Sequence, residues 1–129
     1  LEEGILPGGG IALVRTQNQL LKEAKKVSDD DVRSGMMIVS KAIVEPFKQI
    51  IRNGNNSPDA LLKEVIKKKS NIGYDARLEK FGNMFEIGIL DPHKVVRCAL
   101  ENAASAASML LSVGCCLIDV ENESFLEDN

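Results

Sequence analysis

The chain has no tryptophan, one tyrosine, one histidine, four prolines and three cysteines among 129 residues, and each shortage excludes something. A single histidine, His93, rules out a metal centre built on several imidazoles. Standing beside Pro92, it reads as a surface residue in the first turn of a helix. Cys98, Cys115 and Cys116 are odd in number, two are adjacent, and no pair has the two-residue separation of a zinc or redox motif. They read as buried apolar thiols in a reducing compartment. No apolar run approaches the ~18 residues of a membrane span, and no charged-then-apolar leader is visible, so the sequence points to no membrane. A basic excess is missing too: the net charge is -3, and the longest basic run, Lys67-Lys68-Lys69, fits the C-terminal turn of a helix, leaving no footprint for nucleic acid. The acidic clusters at 29–31 and 121–128 lack the alternating spacing of a calcium loop and read as helix caps and a solvated tail.

What is present is helical period. An apolar content of 44% in 129 residues supports one modest core and at most one domain. The first helix is expected from 10 to 27, with Leu13, Leu20, Ala24 and Val27 on one face. Asp29 to Asp31 then cap a second helix. There Val32, Met36, Val39, Ile43, Phe47 and Ile50 recur at steps of three and four, predicting one long helix kinked at Pro46. Asn53-Gly54-Asn55-Asn56 closes it, and Ser57-Pro58-Asp59 opens a third helix with an N-cap serine and proline at the first helical position. From 70 to 84 the period fails, and Ile72-Gly73-Tyr74 with Glu79-Lys80-Phe81 predicts a short β-hairpin. A fourth helix follows from Pro92 to about Ser112, with Val96, Ala99, Ala103, Ala107 and Leu110 facing inward as a central core helix. Cys115 to Val120 predicts a strand needing a partner from outside the chain. Leu1-Glu2-Glu3-Gly4 reads as the last turn of a helix begun upstream, so 1–120 is expected to be part of a domain and 121–129 an acidic tail. The fold class is mainly α, a multihelical bundle with a small hairpin and a C-terminal strand.

Two stretches carry the functional signal. Pro7-Gly8-Gly9-Gly10 runs straight into Ile11-Ala12-Leu13, where glycines permit close backbone approach and a helix start offers open N–H groups to an anion or nucleotide. By itself such a run reads rather as a tight connection between two helices. The other stretch is Gly88-Ile89-Leu90-Asp91-Pro92-His93-Lys94-Val95, in which Asp91, just before a proline, reads as the N-cap of the fourth helix.

With Gly73-Tyr74-Asp75-Ala76 between them, these landmarks resemble, in order and spacing from Glu2 to about Val120, the C-terminal half of the equatorial domain of GroEL-type group I chaperonins. The resemblance implies an ATP-dependent protein-folding machine. Gly9 would lie against the nucleotide sugar, Asp75, Ala76 and Arg77 around the adenine, Ile89 as an apolar wall and Asp91 on the ribose. Arg77 stands where a small residue is common and Pro7 where alanine is. The cofactor implied is ATP, with the phosphate loop, magnesium ligand and hydrolytic aspartate upstream of this chain. No Gly-x-x-x-x-Gly-Lys-Ser/Thr loop occurs here, so the chain alone is expected to hydrolyse nothing. The implied partners are other chaperonin subunits in seven-membered rings, often stacked in pairs, and, through domains beyond this chain, a co-chaperonin and unfolded proteins. The compartment would be bacterial cytoplasm, mitochondrion or plastid. Lys48 would lie on the face between rings, with Ser57 replacing the usual acid and Asp59 as its substitute. The rival reading is a stand-alone helical interaction module whose glycines merely turn the chain.

Overall fold

A computed structural model describes residues 2–115 and Leu117. In chain order it contains β1 (Ile5–Pro7), α1 (Ile11–Ala24), α2 (Asp30–Ala42), α3 (Glu45–Asn53), α4 (Pro58–Lys67), β2 (Ile72–Asp75), β3 (Lys80–Asn83), β4 (Leu90–Pro92) and α5 (His93–Ser112). The fold is mainly α with two antiparallel two-stranded sheets, β1 with β4 and β2 with β3. Contacts divide the chain into one unit at 1–96 and another from 97 onward.

The core of the first unit joins Ile11 and Val14 of α1, Phe47 and Ile51 of α3, Val65 of α4 and the hairpin residues Tyr74 and Met84. Tyr74 and Phe81 meet edge to face at 5.2 Å between ring centres, and the Lys68 ammonium sits 4.4 Å over the Phe81 ring. The expected hairpin is therefore present, in the register Tyr74 opposite Phe81.

Helix ends follow local chemistry. The Asp29 carboxylate accepts from the amides of Asp31 (2.9 Å) and Val32 (3.0 Å), capping α2 as expected. At the end of α3, Asn55 adopts a left-handed φ of 57°. Its amide donates to Arg52 O (2.9 Å) and that of Asn56 to Ile51 O (3.2 Å), a Schellman closure with asparagine in glycine's usual place. Ser57 precedes Pro58 at the start of α4, but its side chain makes no capping bond.

Several expectations fail. The long kinked helix is two helices. Pro46 cannot donate to Ala42, so the ladder stops there and restarts with Pro46 in the first turn of α3, where no donor is needed. The inward stripe also differs: Ser40, Ile43, Val44, Phe47 and Ile51 are buried, whereas Val32, Val39 and Ile50 are exposed. Glu2 to Gly4 is not helical and leads into β1, which the period gave no sign of because three residues are too few to show one. α5 spans the expected residues, but none of them, including those expected to face inward, is buried. Cys98 is half-buried and Cys115 exposed rather than buried. The strand expected over Cys115 to Val120 and the tail at 121–129 lie outside the described residues, apart from Cys115 and Leu117.

Candidate functional site

The glycine triplet is held by the β1–β4 ribbon. Leu6 pairs with Asp91 and Pro7 with Leu90, and the Gly8 amide extends the ladder by donating to Ile89 O at 2.9 Å. Gly9 and Gly10 then turn the chain through left-handed conformations, φ 66° and 77°, before α1 begins at Ile11. Gly10 has no alternative: a Cβ there would fall 2.8 Å from Phe47 N. A Cβ on Gly9 would meet only the Met84 methyl at 3.2 Å and Ile89 Cγ2 at 3.9 Å, two side-chain atoms and no backbone.

Asp91 is half-buried in β4 and is not the N-cap of α5. Pairing with β1 keeps residues 90–92 extended and delays the helix to His93, whose amide donates to Gly4 O at 3.1 Å instead. Among the described residues nothing donates to the Asp91 carboxylate. His93 Nδ1 lies 2.9 Å from Glu3 Oε2, in keeping with a surface position, and Lys94 pairs with Glu2 at 2.5 Å.

Asp75, Ala76 and Arg77 form the far end of β2 and the hairpin turn. The buried Asp75 carboxylate is spent on that turn, its Oδ1 accepting from the amides of Arg77 (2.9 Å) and Leu78 (3.1 Å). Ala76 packs toward the core and Arg77 is exposed. Met84 and Ile11 link the hairpin to the triplet, both packing on Gly73. The Met84 methyl reaches Gly9, while its sulfur occupies the space a Cβ on Gly73 would need, 2.6 Å away. The structure thus gathers Gly9, Ile89 and Asp91 at the ribbon and places the hairpin turn two residues beyond Gly73.

Two packing roles were not visible in the sequence, although Gly82-Asn83-Met84 is one of the landmarks of the resemblance. One is Met84, fully buried between the two glycines, a methionine with no periodic neighbours to mark it. The other is Arg15, whose guanidinium bonds to backbone carbonyls fifty and more residues away; only its place beside the apolar face of α1 hinted at a buried role. Burial lowers its pKa from the ordinary value. Burial, then the charges of Glu79 and Asp75, push the Tyr74 phenol up. Lys48 reaches Asp59 at 2.8 Å and Glu45 at 3.6 Å, tying α3 to α4. Among the described residues no cluster of histidine, cysteine and acids could hold a metal, and no helix is long and apolar enough to cross a membrane.

A bundle entered by a glycine triplet and completed by a ribbon and hairpin defines a recognisable class. The TCP-1/cpn60 chaperonin family model matches residues 1–120, and the chain belongs to that family. Its fold resembles that of a group III chaperonin in the open state, with TM-score 0.81, 25% identity, and coverage of 88% of this chain and 24% of the other. It also resembles the open-state monomer of a group II chaperonin from Methanococcoides burtonii, with TM-score 0.78, 18% identity, and coverage of 84% and 28%. The chain spans about a quarter of the length of these relatives.

Proposed function

We propose that this chain supplies the nucleoside half of the ATP site of a group I chaperonin. The observation that carries the reading is the β1–β4 ribbon, which sets the left-handed Gly9 against Ile89 and two residues from the uncommitted Asp91 carboxylate. A ribose presents two hydroxyl donors, and a carboxylate offers two acceptor oxygens. The glycine backbone admits the sugar closely, Ile89 covers one face of the base, and the Asp75, Ala76 and Arg77 turn borders it through backbone groups and the exposed Arg77 guanidinium.

Phosphate and magnesium ligands come from elsewhere in the longer protein, so ATP hydrolysis belongs to that protein and the 129 residues alone turn over no ATP. Group I membership rests on the sequence landmarks quoted above. It carries with it seven-membered rings, a separate co-chaperonin, unfolded proteins as substrates, and a bacterial cytoplasmic or organellar home. Lys48 with Asp59 is offered as part of the ring-to-ring face.

Calorimetry of ADP and ATP binding to the full-length protein tests the site. Asp91→Ala and Gly9→Val are expected to weaken affinity by about tenfold or more, equivalent to roughly 1.4 kcal/mol. Unchanged affinity in both returns the chain to the rival reading, in which the glycines only turn the backbone. Ring symmetry seen by electron microscopy tests the group assignment separately.

A further inference from the structure

α4 ends at Lys67 and the chain turns directly into β2 at Ile72; Val65 O accepts from the Lys68 amide (2.9 Å) and Lys69 O from the Ile72 amide (3.0 Å), and each keeps a further lone pair. One side chain from another element collects them. Arg15 of α1 donates from Nε to Ser70 O (3.2 Å), from one terminal nitrogen to Val65 O (2.9 Å) and Ile66 O (3.4 Å), and from the other to Lys69 O (2.7 Å) and Ile72 O (2.9 Å). A guanidinium has five N–H donors in a rigid fork, and all five are committed here. The cation also faces the negative end of the α4 dipole.

The two ends of this tie matter for the site. Arg15 follows Gly10 by five residues on the helix that the triplet opens, and Ile72 stands next to Gly73, three residues before Asp75. Between the same two walls the Ile11 side chain and the flexible Met84 thioether pack on Gly73, and the Ile89 amide donates to Met84 O (3.0 Å) while the Gly8 amide donates to Ile89 O (2.9 Å); Arg15 adds the tie at the start of β2. We propose, building on the nucleoside-site reading above, that Arg15 is a positioning residue: it sets the separation between the glycine triplet and the hairpin turn without touching nucleotide. A site whose walls are held in the binding geometry avoids the ordering cost that a loose one incurs on binding.

The test uses the full-length protein, Arg15→Lys and two companions. Lysine keeps the charge but concentrates it on a single ammonium that cannot span five carbonyls. Val65→Ala truncates a buried side chain at the same end of α4 and lowers stability while leaving the tie intact. Asp91→Ala reports on the site itself. Amide exchange across 72–83 and ADP affinity by calorimetry are read at a temperature where every variant is folded. Arg15→Lys is expected to speed hairpin exchange and weaken ADP by about tenfold, with Val65→Ala staying within about twofold in affinity. If Arg15→Lys does not accumulate, Arg15→Gln, which keeps a planar two-donor amide, carries the same readouts with the same expectation. Wild-type ADP affinity in the Arg15 variant, beside a weakened Asp91→Ala, overturns the positioning role alone. So does an equal loss in Val65→Ala. Unchanged affinity in both Asp91→Ala and the Arg15 variant overturns the site reading and the positioning role with it.

Discussion

Gly9 and Gly10 share a left-handed backbone but not a surrounding, and on the proposed reading the difference separates a candidate site position from a structural one. Any L side chain in that conformation costs roughly 1–2 kcal/mol. At Gly10 the added Cβ also collides with the backbone of Phe47, which cannot move without disturbing the core. At Gly9 it meets a methionine methyl that can turn aside. Gly10→Ala is therefore expected to lower the melting temperature well beyond Gly9→Ala, and Gly9→Ala to act mainly on nucleotide affinity. Equal melting temperatures would contradict the close approach to Phe47. Asp91 yields a second expectation at this scale. Because β4 carries it extended and the His93 amide donates to Gly4 O, the carboxylate caps nothing among the described residues. Asp91→Asn and Asp91→Ala should then agree in stability within about 0.5 kcal/mol, where a true N-cap would separate them by about 1 kcal/mol. Chemical denaturation of the two variants decides it.

Among the elements, α3 and α4 are joined by a charge pair whose pH dependence has a definite sign. The Lys48 hydrogen bond, then its charge, lowers the pKa of Asp59 below 3.8. Stability from a carboxylate so lowered is complete above that ordinary value and vanishes as pH falls through the folded one. Lys48, raised above 10.5 chiefly by its bond to Asp59, contributes fully below 10.5 and loses the contribution as pH rises through its folded value. The stability gap between the wild-type protein and Asp59→Asn should thus be flat near neutrality and close at both extremes, as thermal unfolding across pH would record. A gap indifferent to acid would mean that the pair is not formed in solution. The same elements show what the sequence made legible. The hairpin, α4 and α5 were readable because an N-cap position, a proline at the first helical turn or a loss of helical period is written in neighbouring residues. The Pro46 break was half legible: its missing donor was visible, but whether the helix bends or restarts depends on how Ile43, Val44 and Phe47 pack on α1. The β1–β4 ribbon was not readable at all. Its three-residue strands lie some eighty positions apart, and the pairing of Leu6 with Asp91 is a tertiary choice that also decided the fate of the expected cap. Of the candidate site residues, Gly9 was legible as a turn glycine and Asp91 as a capping type, and Ile89 came in by resemblance alone, whereas the contacts of Met84 and Arg15 act over distances no local pattern encodes.

On the scale of the whole molecule, α5 poses the remaining physical problem. Twenty residues long, it carries Met109, Leu110 and Leu111 at 66%, 75% and 88% exposure, and none of its residues is buried. An isolated helix of this length is marginal in water, since most helical stability in proteins comes from packing an apolar face. An uncovered run of this kind also marks a contact surface. The chain spans about a quarter of its chaperonin relatives, so the cover is expected from the longer protein or its assembly. Hydrogen exchange distinguishes the two situations. In the 129-residue chain at low concentration, amides from 97 to 112 should exchange at rates near those of an unstructured peptide, while Val14, Phe47 and Ile51 in the first unit stay protected. In the full-length protein the same α5 amides should slow by orders of magnitude. Strong protection of 97–112 in a proven monomer of the short chain would show that α5 is stable without that cover, and the expectation of an outside partner would fall.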